Sequence, residues 1–306
     1  MIPAGHASGL TSRPFLLAAG LTVFSNLVFI SSHGMVRHVG TDLHPFQIAF
    51  FSNLFSAVFY IPVLLKSNFQ ILRTEKLKTH FVRACFNAAA LTTWYAALAL
   101  TLLADATALG LTGPLFVTIG AVLFLGEAIR GRRLTALVIG AIGALVIIRP
   151  GFEELSIGFI LVLLSAAFAA GTKIMAKHLR NTDSAITCSA YVAILQTPIT
   201  FVFAIFVWET PTLVQLAWMF GVGMCAAIAQ LTMVQAYSYA DVSALEPFVF
   251  TRLIWAASIG WLAFGEVPAF WTWVGAAIIV AASTYIAQRE AAAQRVPAPD
   301  RSTTGL

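Results

Sequence analysis

Apolar residues in this chain come in long runs, separated by short polar, basic or turn-forming breaks. Windows bounded by those breaks fall at 14–35, 45–65, 81–101, 105–125, 134–149, 157–176, 186–208, 213–236, 242–264 and 268–287. Most hold about 20 residues, the length of helix that crosses ~30 Å of hydrocarbon, whereas a barrel strand needs only ~10 alternating positions. Backbone amides and carbonyls in lipid must be satisfied within the segment, which a helix achieves. The pattern predicts an all-α membrane protein with ten transmembrane helices. No break is long enough for a soluble domain; the longest runs from Lys66 to His80.

Composition agrees. Of 306 residues, 59% are hydrophobic and 10% charged, against about 25% charged in soluble chains. The net charge of +5 would suit nucleic acid, but the basic residues sit between apolar runs, where membrane topology accounts for them. Placing the N-terminus in the cytoplasm puts 15 Lys and Arg inside and only Arg37 and Arg149 outside, with Arg252 in mid-span. Both termini are therefore expected in the cytoplasm, and the bias favours an even number of spans. The first window carries Asn26 and then Ser31-Ser32-His33, without a small-residue cleavage site, so it reads as an uncleaved span preceded by a cytoplasmic segment, 1–13. The polar tail, 289–306, reads as disordered and cytoplasmic.

The chain also matches itself. Ser25 pairs with Ser165, and Met35-Val36-Arg37-His38 with Met175-Ala176-Lys177-His178, at a shift of 140. Ala97 pairs with Ala236, Thr112 with Thr251, and Gly126-Glu127 with Gly265-Glu266, at a shift of 139. A competing shift of 136 aligns Ala104-Asp105-Ala106 with Ala240-Asp241-Val242. Together with a hydropathy period of five spans, these matches predict a duplication, 14–150 and 151–288. Five crossings per unit is odd, so the second copy enters from the opposite face. Two inverted five-helix repeats suit alternating access around a central site.

Particular motifs point the same way. Pro114-Leu115-Phe116, Leu125-Gly126-Glu127, Arg130-Gly131-Arg132-Arg133 and Ile147-Ile148-Arg149-Pro150-Gly151 recur in pattern as Ala244-Leu245-Glu246-Pro247, Phe264-Gly265-Glu266-Val267-Pro268 and Gly275-Ala276-Ala277-Ile278-Ile279. From about Phe15 to Glu290 the chain resembles an EamA-type member of the drug/metabolite transporter superfamily. That resemblance implies ten helices in two inverted repeats around a central cavity. It also implies export or import of amino acids, vitamins, nucleotide-like metabolites or drugs, by proton coupling or by exchange.

Within the spans, Arg252 is the outstanding residue. A cation at the centre of a membrane helix costs roughly 2.5–3.5 kcal/mol on insertion scales and is expected to face the bundle interior. Glu246 lies about 240° and ~9 Å away on the same helix, so the two do not face each other. Phe248 and Trp255, at i−4 and i+3, flank Arg252 on one face, a setting for a carboxylate or phosphate beside a flat ring. The other reading is that Arg252 pairs with a helix-end carbonyl or carboxylate and only locks helices together. Glu246, followed by Pro247, is a candidate proton carrier or a solvated group at the cavity mouth. Glu127 and Glu266 are read as interfacial and structural.

The polar amides Asn26, Asn53, Asn87, Gln196, Gln230 and Gln235 interrupt apolar spans and need partners. Asn26, Asn87 and Gln235 are chosen as cavity-lining because their spans correspond to cavity-lining helices in the family. Trp94 is either a stacking surface for substrate or a residue packed between helices. His33, His38 and His44 cluster by sequence near the outer surface, but nothing completes a metal set, and none of the three cysteines has ligand spacing. No cofactor is expected. Lys173 reads as a snorkelling side chain. Small residues, Ala136-x-x-x-Gly140-x-x-x-Ala144 with Gly143 and, less strongly, Ala277-x-x-x-Ala281, form faces for close approach, either between repeats or in a homodimer.

The sequence holds no HExxH, GxSxG or Walker A motif and no filter-like loop, which disfavours an integral-membrane enzyme, nucleotide hydrolysis and a channel. The reading is a secondary transporter of the inner (plasma) membrane for a small organic metabolite, planar and anionic or zwitterionic.

Overall fold

A computed structural model describes residues 13–66, 72, 74–125, 131–150, 156–179, 182–183, 185–240, 245, 248 and 250–294. Eleven helices fill most of that length: α1 (Arg13–Val39), α2 (Pro45–Lys66), α3 (Leu77–Leu100), α4 (Leu103–Gly110), α5 (Gly113–Leu125), α6 (Gly131–Ile148), α7 (Ile157–Leu179), α8 (Ala185–Ile205), α9 (Leu213–Tyr239), α10 (Thr251–Phe264) and α11 (Phe270–Gln294). Among the described residues there is no strand.

Among the described residues, four segments are long and apolar enough to cross a membrane: Pro14–Val39, Leu103–Leu123, Ile157–Ala176 and Leu213–Tyr239. The second joins α4 and α5 through a turn at Leu111 and Thr112. Shorter apolar helices occur at Pro45–Val58, Leu134–Ile148, Ala190–Ile205 and Phe270–Tyr285. α3 carries Lys78, His80, Arg83 and Asn87 in its first half, and α10 has only 14 residues; neither is among these candidates.

The surface is the reverse of a soluble protein's. Large apolar side chains such as Leu123, Val138, Ile142 and Leu145 are exposed, while Thr22, Ser25, Asn26, Gln47 and Thr200 are buried. In a bilayer this costs nothing, because lipid is as apolar as leucine, and polar groups gain by meeting one another inside.

Contacts fix the helix directions. α1 runs antiparallel to α9: the Ser25 hydroxyl donates to the Ala229 carbonyl at 2.7 Å, and Gly221 approaches Met35. α3 runs antiparallel to α7: Ser165 donates to the Ala90 carbonyl at 2.7 Å, and Gly171 approaches Phe86. α1 and α3 are parallel, since Trp94 meets His33 and Leu98 meets Arg37. It follows that α1 and its sequence counterpart α7 point in opposite directions. Ser25 and Ser165, duplicated in sequence, make the same hydrogen bond to Ala229 and Ala90, themselves 139 apart. Each serine ties its own repeat to the other.

Where α6 crosses α11, glycines let the backbones touch. A Cβ added at Gly143 would lie 2.9 Å from the Gly275 carbonyl, and one at Gly275 would lie 2.6 Å from the Gly143 carbonyl. The small-residue face of α6 thus packs the two repeats together at Gly143, while Gly140 accommodates Leu115. On α11 the contacting face is Gly275 and Ile279; Ala277 and Ala281 are exposed, which corrects the register expected from spacing.

Candidate functional site

The central site is assembled from three helices. The Nε of Arg252, on the first turn of α10, donates to Asn26 Oδ1 of α1 at 2.8 Å. Asn26 is fully buried, and its Nδ2 donates to the Phe248 carbonyl at 2.8 Å and lies 3.1 Å from the Thr251 hydroxyl. Thr251 in turn donates to the Phe248 carbonyl at 2.7 Å. The start of α10 is therefore held by one amide of α1, and that amide sets the orientation of the guanidinium.

Arg252 lies over the ring of Phe29, with Cζ 4.7 Å from its centroid, a cation–π arrangement in a setting shielded from water. The Phe29 ring meets His33 edge-on, centroids 4.3 Å apart, and His33 lies 5.2 Å from Trp94 of α3. Trp94 Nε1 donates to His33 Nε2 at 3.2 Å, so the neutral imidazole carries its proton on Nδ1, which is buried without a partner among the described residues. Nε1 of Trp255 is likewise a buried donor without an acceptor among them. The result is a continuous row of planar groups, Arg252, Phe29, His33 and Trp94, joining α10, α1 and α3. Gly110 keeps the Trp94 ring in place: a Cβ there would lie 3.1 Å from it.

The expected site residues fare differently. Arg252, Asn26 and Trp94 come together in this row. Trp255 packs beside it, partly buried against the main core. Phe248 contributes its carbonyl, while its ring turns toward Phe15, centroids 6.1 Å apart, and a small cluster of Ala18, Ala236 and Leu245. The ring beneath Arg252 is Phe29 of another helix. Asn87 donates to Gln196 Oε1 at 2.6 Å, a link from α3 to α8. Gln235 is exposed and donates to the Tyr239 hydroxyl one turn along its own helix, apart from this row. Glu246 and Glu127 lie outside the described residues.

Phe29 and His33 were missed by sequence reasoning. Their signal is the spacing Asn26, Phe29, His33, at i, i+3 and i+7, which shares one helical face. Grouping His33 with His38 and His44 by sequence obscured it: His33 is buried, whereas His38 is exposed beside Trp218 and His44 beside Phe46. Among the described residues, no group of His, Cys, Asp and Glu could hold a metal ion. Lys173 is exposed. On another side of α1, a cavity of about 300 Å³ is bounded by Gly34, Met35, Trp218 and Ile259 and is mostly apolar; Arg252 does not line it.

An all-helical, inside-out bundle of two counter-running repeats, with a polar aromatic row at its centre, is the architecture of a membrane carrier. The model of the EamA-like transporter family matches residues 14–149 and again 156–288. The chain belongs to that family, and the protein is a transporter, not an enzyme. It is similar to a riboflavin transporter of Brucella anthropi, 33% identical over 81% of this chain and 89% of that protein. It is also similar to an S-adenosylmethionine uptake transporter of Rickettsia bellii, 29% identical over 91% and 96%, and to a pseudopaline exporter of Pseudomonas aeruginosa, 27% identical over 87% and 95%. A solved crystal structure, 16% identical, superposes with a TM-score of 0.59 over 89% of this chain and 98% of its own, a likeness of fold alone.

Proposed function

We propose that this protein is a secondary transporter of planar heteroaromatic metabolites that carry polar or charged substituents, working by alternating access. The observation that carries the reading is the row of Arg252, Phe29, His33 and Trp94, in which a guanidinium fixed by Asn26 stands at one end of a run of flat rings. A flat ring system gains by stacking among such groups, and an anionic substituent gains from the guanidinium. The relatives named for riboflavin and S-adenosylmethionine support the choice, since both compounds carry a fused nitrogen-containing ring. One relative is named for uptake and another for export, so direction is read from transport itself.

In this reading the chain crosses the inner membrane ten times, with repeats at 14–150 and 151–288 and with 1–13 and 289–306 in the cytoplasm. Opposed α1 and α7 are the geometry that lets one fixed site open to either face. Glu246 is the proposed proton-coupling group; Glu246→Gln would then lose stimulation by a pH gradient while retaining exchange. The test of function is counterflow in proteoliposomes loaded with riboflavin or S-adenosylmethionine. Saturable, trans-stimulated flux of either supports the carrier; unitary current in a planar bilayer, or no flux of any planar metabolite, removes it.

A further inference from the structure

A second arginine lies where α1 and α3 end, and its partners differ from those of Arg252. Arg37 of α1 ion-pairs with Glu266, in the turn between α10 and α11, and the two side chains are only 18% and 8% exposed. Arg37 also donates to the carbonyls of Leu98, at 2.7 Å, and Thr101, which close α3. Glu266 accepts the amide of Leu103 at 2.9 Å, the first residue of α4, a helix whose own N-cap residue makes no side-chain bond. A cation thus meets free carbonyls and an anion meets a free amide, the signs that helix ends favour. The corner between α3 and α4, in the first repeat, is completed by a carboxylate from the second.

Local backbone places that carboxylate. Gly265 turns the chain with φ 67°, a conformation that glycine adopts without strain. The Glu266 amide then returns to the Gly260 carbonyl at 3.0 Å. Gly260 leaves the room needed, since a Cβ there would lie 3.1 Å from Glu266 Oε2. Nearby, Thr272 of α11 donates to Asp105 of α4 at 2.6 Å, a second buried link across the same boundary.

We infer that Arg37 and Glu266 are the gating pair of the translocation cycle at this end of the bundle, an inference that rests on the alternating-access reading above. Ser25–Ala229, Ser165–Ala90 and Asn26–Arg252 also join the two repeats, but the Arg37–Glu266 pair sets opposite charges on the ends of α3 and α4 at one end of the bundle, so opening that end requires it to separate. Its members also sit on the helices that carry the central site. Arg252 begins α10 and Glu266 follows its end, about 21 Å along a helix of 14 residues. Asn26, Phe29, His33 and Arg37 lie along α1. A substrate that shifts Arg252 moves the helix whose far end holds the carboxylate, which ties occupancy of the site to release of the pair.

The test uses the full chain in proteoliposomes, with Cys85, Cys188 and Cys225 replaced by Ala and a reporter Thr101→Cys at the buried corner. A membrane-impermeant maleimide, added to each face in turn, reads opening without any substrate. With Glu266→Gln the labelling rate from one face should rise by about tenfold or more, because a buried ion pair has lost a charge. An unchanged rate in folded protein overturns the gate. Since Glu266→Gln leaves Arg37 without its anion and could unfold the protein, Arg37→Cys with Glu266→Cys, which removes both charges, provides the second arm. Joined by a short bis-methanethiosulfonate, which loses a sulfinate as each cysteine forms its mixed disulfide, this pair should stop counterflow of riboflavin and S-adenosylmethionine, and cleavage by dithiothreitol should restore it; undiminished flux through fully joined protein overturns the gate. Wild type that carries neither probe sinks the substrate reading, while the labelling arm still decides the gate.

Discussion

Two arginines of this protein, Arg37 and Arg252, are held by different means. Arg37 meets a carboxylate and two backbone carbonyls, at a corner where three chain segments close. Arg252 donates to an amide oxygen and lies over a ring face. Both arrangements satisfy a cation away from water, but they answer different needs. An ion pair built into helix ends resists being taken apart singly. A guanidinium held by an amide oxygen and a ring face keeps a fixed direction. Sequence position alone does not reveal this: Arg37 reads as an outer-face charge, yet it carries a buried ion pair.

Breaking each arrangement should give opposite signatures. Arg37→Ala leaves Glu266 buried without its cation and is expected to destabilise the protein by about 3–5 kcal/mol, read as a large fall in melting temperature in detergent. Removing both charges, as Arg37→Ala with Glu266→Leu, should recover most of that loss; no recovery would mean the pair is not coupled. Arg252→Ala should instead leave melting within about 1–2 kcal/mol of wild type and lower substrate affinity about 100-fold. Arg252→Lys keeps the charge but loses the Nε–H and the planar fork, and should fall between. Equal counterflow kinetics in all three proteins would take Arg252 out of the site. Asn26→Leu, which removes the amide bonded to Arg252 and to the Phe248 carbonyl, should weaken transport about tenfold. The smallest change is Trp94→Phe: it deletes one hydrogen bond to His33, worth about 0.5–1.5 kcal/mol, and should raise the concentration for half-maximal flux severalfold at unaltered maximal rate.

Helical class, membrane residence and the doubling of the chain were legible because they are properties of local composition and of repetition. Lipid requires long apolar runs, and Ser25 with Ser165 retain a common contact through the duplication. The site was legible in part. A charged residue in an apolar span announces itself; Asn26 was read as a polar interruption, and Trp94 either as a stacking surface or as a residue packed between helices. Phe29 and His33 were not, since an aromatic residue in an aromatic-rich helix carries no local distinction and three histidines close in sequence suggested a surface cluster. Gln235 was chosen because its span was expected to line a cavity, but its side chain is exposed, a matter of helix rotation that spacing does not reveal. For the same reason the close-packed face of α11 is Gly275 and Ile279 instead of Ala277 and Ala281.

What the sequence determined on its own is the chemistry that needs partners within a membrane: an arginine in an apolar span and amides among leucines. Each of these had to find a partner, because hydrocarbon offers none. Which partner each found was decided only by tertiary structure. Asn26 and Arg252 are 226 residues apart, and Arg37 and Glu266 a similar distance, so no local pattern encodes those pairings. They arise from the packing of α1 antiparallel to α9 and parallel to α10, and of α3 antiparallel to α7, which sets side chains from both repeats at bonding distance across the boundary between them.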